Sequence, residues 1–226
     1  MLCVSCNKRE ATVRVGGRQL CPLCARDEIQ SRVRSVLHRS GALGWRKTVT
    51  LVVPSEWLPL KDVLSLLVKR SCLTCEIALD VREVNYESFD DLIWGLIDLS
   101  INLERPVITP FTAEFYVSYS LYSMINGVKD YLLFSPPIYE HSGSKVVSPL
   151  SSSTFAELEA FGRFSISFRD PLFDEIFRWA LSYLADSPEQ ARAFWKSYSL
   201  FEGNRCKRCG ALIPEGLELC RRCSRA

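Results

Sequence analysis

The sequence predicts an α/β domain built on a parallel sheet, set between two small cysteine-rich modules. Three observations predict it. From residue 48 to residue 134, β-branched apolar runs alternate with segments of helical spacing, as when helical crossovers join parallel strands. All ten cysteines fall into C-x-x-C pairs, and four of the five pairs sit at the chain ends. The charge divides the same way. Residues 1–47 carry ten Lys/Arg against three Asp/Glu, residues 190–226 eight against three, and residues 48–189 ten against twenty, so a net charge of +2 conceals two basic ends and an acidic middle.

The terminal cysteines have metal-ligand spacing. Cys3/Cys6 is followed by Cys21/Cys24, and Cys206/Cys209 by Cys220/Cys223. Each C-x-x-C turn brings two thiolates onto one tetrahedral ion, and a second pair a short loop away completes a four-sulfur shell, the donor set of structural zinc. Two zinc ions are therefore expected, both structural, because four thiolates leave no open position for chemistry. Met1-Leu2 runs straight into Cys3, which leaves no room for a secretory signal. Paired thiols without such a signal point to a reducing, cytoplasmic setting and to metal rather than disulfides. The apolar runs, such as 48–53 and 131–134, break well before membrane-spanning length.

The chain divides into an N-terminal zinc module over 1–25, a basic helix and linker over 26–47, an α/β domain with a helical C-terminal part over 48–201, and a C-terminal zinc module over 202–226. Within the first module, 11–15 reads as a short strand and Gly16-Gly17 as a tight turn. Residues 27–38 show helical spacing at Ile29, Val33 and Leu37. Arg26, Arg32, Arg34 and Arg39 along this helix form either a phosphate-facing stripe or an exposed face. Residues 48–53 read as a buried strand, 60–70 as a helix, 76–84 as a second strand and 89–103 as a helix with Asp90 and Asp91 at its positive end. A short strand follows at 106–109, an aromatic-rich helix at 111–125 with Gly127 as its stop, and a strand at 131–134. Helices are expected at 153–161, 171–184 and 188–198. Trp57, Trp94, Trp179 and the many Phe and Tyr read as core, the acidic middle as either an ordinary solvated face or a docking surface for a basic partner, and part of the aromatic stretch 111–122 as interface.

In an open parallel sheet, ligands bind beyond the carboxyl ends of the strands, near the first strand-to-helix turn. Here that turn is Pro54-Ser55-Glu56-Trp57-Leu58-Pro59-Leu60-Lys61-Asp62-Val63. It has no glycine to let backbone N–H groups close around a phosphate, Pro59 removes a donor, and Glu56 adds negative charge. Local chemistry argues against nucleotide binding of the usual kind.

This turn and the two terminal modules carry a family resemblance. The chain resembles the cytosolic tRNA 2-thiolation proteins, a branch of the N-type ATP pyrophosphatases. That family places a cysteine module first, then a pyrophosphatase domain with an S-G-G-x-D-S loop, then a C-x-x-C-G … C-x-x-C module, similar here to Cys206-Lys207-Arg208-Cys209-Gly210 … Cys220-Arg221-Arg222-Cys223. Val147-Ser148-Pro149-Leu150 before Glu157 is similar to the family's R-P-L … E segment, and Ser187-Pro188 also matches. The departures matter as much. Of the family loop only Lys61 and Asp62 survive, and of its acidic stretch only Glu114. Cys72/Cys75 comes too soon after the loop to match the family's sulfur-handling pair, and no third middle cysteine exists.

The resemblance therefore implies an adenine-nucleotide-hydrolase-like domain with a degenerate PP-loop and no catalytic residues. It implies a non-catalytic subunit that binds tRNA and an active thiolation subunit during 2-thiolation of the wobble uridine. Arg205, Lys207, Arg208, Arg221, Arg222 and Arg225, crowded around the last cysteines, are the expected tRNA contacts. Two other classes of function compete: an active ATP-dependent tRNA sulfurtransferase with an atypical loop, and a zinc-bearing RNA adaptor unrelated to thiolation. Cys72/Cys75 reads as structural, as a shared metal or sulfur site, or as a redox pair. Lys61/Asp62 reads as a residual ATP site or as an exposed helix start.

Overall fold

The computed structural model describes residues 1–44, 48–72, 76–126, 137–141, 143–186, 190, 204–208, 213, 216–220 and 223–224. The expected strand at 131–134, the stop at Gly127 and the helix at 188–198 lie outside the described residues, as do Cys75, Cys209, Arg221, Arg222 and Arg225.

The chain opens with a hairpin, β1 (Val13–Val15) and β2 (Arg18–Leu20), closed by Gly16 and Gly17, both at positive φ. Helix α1 (Pro22–Arg39) follows directly. It starts earlier than its apolar spacing predicts because Pro22 takes the first helical position, where its missing N–H costs nothing. Cys21 is its N-cap residue and Cys24 lies in its first turn, so one helix start carries a whole C-x-x-C pair.

The body is a five-stranded sheet in the order β4-β3-β5-β7-β6. Strand β3 (Thr48–Pro54) is an interior strand, next to the edge strand β4, and is buried from Val49 onward, as its β-branched run predicts. Strands β4 (Ala78–Val84), β5 (Val107–Ile108) and β7 (Ser144–Val147) all run parallel to it. The departure from an all-parallel sheet is β6 (Ile138–His141), which pairs antiparallel with β7. Crossovers are made by a short 3-10 helix (Ser55–Leu60) with α2 (Lys61–Lys69), by α3 (Phe89–Leu103) and by α4 (Ala113–Ile125). Ser88 and Asp91 close a reciprocal capping box on α3. The expected helix at 153–161 shrinks to one turn, α5 (Phe155–Leu158), and α6 (Pro171–Asp186) packs along α4.

One continuous core runs from the first cysteine module through the sheet and reaches Cys206, Ile213 and Cys220. The aromatic face of α4 belongs to it. Phe111, Phe115, Tyr116 and Tyr119 are buried, as expected of core aromatics, which takes them out of any interface. Trp57 and Trp94 are core as expected, whereas Trp179 is half exposed and stacks on Tyr183. No described helix is long and apolar enough to cross a membrane.

Candidate metal centres and the carboxyl edge of the sheet

The Sγ atoms of Cys3, Cys6, Cys21 and Cys24 all lie within 4.8 Å of one another. Those of Cys6 and Cys21 are 3.9 Å apart. Tetrahedral zinc at its usual Zn–S distance needs sulfurs ~3.8 Å apart, so this shell fits the ion. The thiols themselves also call for a cation. Burial raises the Cys3 thiol, but N–H groups of Cys21, Cys6 and Ser5 outweigh it and bring the pKa down to about 6. For Cys24 the Ser5 hydroxyl pulls the other way, yet Cys21, burial, Cys3 and Cys6 together push it up to about 12. Four thiols in one shell cannot all ionise at neutral pH unless a cation shares them. At the other end, the Sγ atoms of Cys206, Cys220 and Cys223 also cluster within 4.8 Å. Both clusters can hold a metal ion.

The first centre is wired into the body through Glu157, whose side chain is only 1% exposed. Its carboxylate accepts from the N–H of Gly16 in the β1–β2 turn at 2.7 Å, from Arg32 Nη1 on α1 at 2.9 Å and from the N–H of Thr154 at 3.3 Å. Thr154 returns the bond to the Glu157 N–H, a capping box on α5. The pattern Thr154-x-x-Glu157 was the available sequence signal for this anchor. Arg26 donates to the Ala160 carbonyl at 2.6 Å and lies over the Phe161 ring. Arg34 donates to the Arg70 carbonyl and Arg39 to that of Ser35. Arg26 and Arg32 are thus tied to the body, while Arg26 and Arg39 remain exposed on the helix.

The segments leaving β3, β4, β5 and β7 meet at the sheet's carboxyl edge, where a ligand crevice is expected. Trp57, in the turn after β3, is fully buried there. Its ring lies 5.5 Å from Phe111, 5.6 Å from Phe115 and 6.0 Å from each of Phe155, Phe168 and Phe177. Phe111 comes from the β5–α4 connection, Phe115 from the first turn of α4 and Phe155 from the start of α5, so the segments after three strands each contribute a ring. Sequence reasoning placed Trp57 in the core but missed that the core extends into this crevice. Beside it lies a cavity of about 120 Å³, lined by Glu56, Tyr86, Glu87, Phe89, Arg169 and Asp170 among others. Small-molecule sites begin at about 300 Å³, and three carboxylates against one guanidinium would repel a polyphosphate.

The same edge has a polar half. Beyond β5 and β7, Thr109 and Ser148 share a hydrogen bond at 2.7 Å, and the Tyr116 hydroxyl donates to Ser148 at 2.6 Å. Glu114 is wholly buried in the first turn of α4 and accepts from the Phe155 N–H at 2.7 Å. Burial, aided by the charge of Glu157 and opposed by its hydrogen-bond donors, pushes its pKa up to about 7.

Lys61 and Asp62 line a different surface, an open groove of about 650 Å³ between α2 and the outer face of β4, with Ser65, Lys69, Leu79, Val81 and Glu83. Lys61 is bonded to Glu83 at 2.9 Å. Cys72 is disulfide-bonded. Arg205, Lys207 and Arg208 are exposed on the C-terminal module, with Lys207 paired to Glu218.

The sequence matches no family profile, and no curated protein matches it. Among solved structures, the chain is similar to the U34-tRNA thiolase NcsA from Methanococcus maripaludis with its 4Fe-4S cluster. The TM-score is 0.63 at 15% identity, covering 99% of this chain and 95% of that one. The likeness is one of fold: an α/β architecture with a mostly parallel central sheet, extending across the whole length of both chains.

Proposed function

We propose that this chain is a non-catalytic, cytoplasmic subunit supporting 2-thiolation of the tRNA wobble uridine, with tRNA and a catalytic thiolation subunit as its partners. What carries the reading is a contrast within one molecule. The fold follows a tRNA thiolase along its whole length, yet Trp57 and five phenylalanine rings fill the crevice where such a sheet takes its ligand. The glycine-free turn, the small acid-lined cavity and the removal of Lys61 to an outer groove all favour the same conclusion. Zinc in both cysteine clusters suits a four-thiolate donor set, and its part is to fold each module. The cations of the C-terminal module, Arg205, Lys207, Arg208, Arg221, Arg222 and Arg225, supply the tRNA contact through counterion release.

Co-purification from native cells, with identification of the bound chain and RNA, tests the proposal. A thiolation enzyme and tRNA are expected in the complex, and the isolated chain should not cleave ATP when given tRNA. ATP cleavage that Asp62→Ala abolishes would make the chain an active enzyme instead. RNA without any thiolation subunit would make it an adaptor of another kind.

A further inference from the structure

Strand β4 ends the sheet. Among the described residues it hydrogen-bonds to β3 on one side, and its outer edge carries no strand. The outward-facing N–H and C=O groups of alternate residues along this seven-residue strand are a template for another strand, and proteins usually blunt such an edge. Here the edge reads Ala78-Leu79-Asp80-Val81-Arg82-Glu83-Val84. Asp80 and Arg82 share one face of the strand, and Arg82 Nε lies 3.1 Å from Asp80 Oδ2. Leu79, Val81 and Glu83 share the other, where they line the open groove against α2. Val81 is 39% exposed at its centre.

We infer that the β4 edge is a dimerisation surface, and that its occupant is β4 of a second copy of this chain, running antiparallel about a two-fold axis at Val81. The charge order carries the inference. A dyad through Val81 sets Asp80 opposite Arg82 of the second copy and Arg82 opposite its Asp80, giving two attractive cross-strand pairs for one symmetry operation. A like-charged edge would repel itself in this register. A shift by one residue would separate the complementary pairs and set Val81 against a charge. The dyad brings the two Val81 side chains together over the groove floor and leaves Glu83 opposite Leu79, with Lys61 still holding its carboxylate. Asp80 keeps its 2.7 Å bond from Arg105 Nη2 while Arg82 exchanges an intrachain partner for an interchain one. The result is one continuous sheet across both copies.

The inference is independent of the thiolation proposal, and either can fail without the other. Light scattering on the full chain should give twice the chain mass of 25.7 kDa. Arg82→Asp puts carboxylates opposite each other at both ends of the dyad, and the dimer dissociation constant should rise roughly 10- to 30-fold. Val81→Lys, at an exposed position, should have a similar effect without touching the charge pairs. Asp80→Arg alone should be monomeric, but mixed with Arg82→Asp it should form a heterodimer, since each variant then meets its complement. Should Asp80→Arg fail to fold, Arg82→Asp and Val81→Lys still decide. A chain monomeric to about 100 µM, a concentration at which even weak specific interfaces associate, overturns the inference. So does a dimer that both variants leave intact, or an edge whose amides gain protection only from a different protein.

Discussion

The two cysteine modules look alike in sequence and differ in how they use their positive charge. The N-terminal module and the helix that follows it are tied to each other and to the body by three arginines, of which Arg18 and Arg26 stay exposed while Arg32 is largely buried. Arg18 pairs with Glu28, Arg26 reaches the Ala160 carbonyl and Arg32 is drawn onto the buried Glu157. The backbone hydrogen bonds described for the C-terminal module close on the module itself: Lys207 N–H to the Glu218 carbonyl, Ile213 N–H to the Asn204 carbonyl and Ser224 N–H to the Cys220 carbonyl. Arg205, Lys207 and Arg208 stay at its surface. The same C-x-x-C pairing therefore does not mean equal roles. Both centres reach the common core, but the first is also bonded to it through Gly16, Arg32 and Glu157, while the second carries Arg205, Lys207 and Arg208 at its surface.

Removing a ligand from each centre is the strongest way to break that comparison. Cys21→Ser should release the metal, undo the start of α1 and loosen the Gly16 and Arg32 bonds to Glu157 together. The melting temperature should fall by more than about 10 °C, which for a chain of this size corresponds to several kcal/mol. Cys206→Ser, at a cysteine that is also buried in the core, should shift it less, by under about 4 °C, because the backbone bonds described around Cys206 stay within its own module and no bond to Glu157 depends on it. Equal shifts in thermal unfolding would erase the distinction.

Next in size is the tie itself. Arg32→Ala leaves Glu157 buried with its charge uncompensated, a situation that costs about 3–5 kcal/mol. Chemical denaturation measures the loss directly. Arg39→Ala, on the same helix but bonded to the Ser35 carbonyl within it, should cost under about 1 kcal/mol.

Glu114 gives a third handle, through pH. Its folded pKa of about 7 lies above the ordinary carboxylate value of 4.5, so the folded state holds the proton more tightly than the unfolded chain. The stability it contributes is complete below about 4.5 and is lost as pH rises through about 7, by about 3 kcal/mol in all. Glu114→Gln keeps an oxygen for the Phe155 N–H and should flatten this part of the stability–pH curve. A wild-type curve already flat between pH 5 and 8, to within about 1 kcal/mol, would contradict the burial argument.

The sheet was legible because β-branched runs and helical spacing report local burial. β3, α3 and α6 fall where the pattern puts them, and the cysteine spacing alone assembles the first shell. The β6–β7 hairpin was not anticipated. Its register pairs His141 with Ser144, and Gly143 takes a φ of +83°, so Gly143 was the turn signal. What the sequence could not carry was anything set by distant partners. Arg32 reads like any helix arginine until Glu157, 125 positions away, pulls it inside. The aromatic filling of the crevice is hidden for the same reason. Trp57, Phe111, Phe155 and Phe177 look like separate core residues, and only the topology shows that the segments after three parallel strands deliver the first three to one place, where Phe177 of α6 meets them.

The smallest expected effect tests the outward half of the comparison. If the C-terminal module meets tRNA through phosphates, Arg221→Glu/Arg222→Glu should weaken binding about tenfold. The slope of log affinity against log salt should fall by roughly 0.7–0.9 for each phosphate no longer neutralised. The same reversal at Lys8, an exposed cation of the N-terminal module, should leave the slope within error. The slope is the better readout because a partly unfolded module would also bind more weakly, but by releasing every phosphate at once. Reversing two charges on a folded module releases only theirs. If Lys8→Glu changes the slope as much as the pair does, both ends face the RNA, and the division of labour between the two cysteine modules falls.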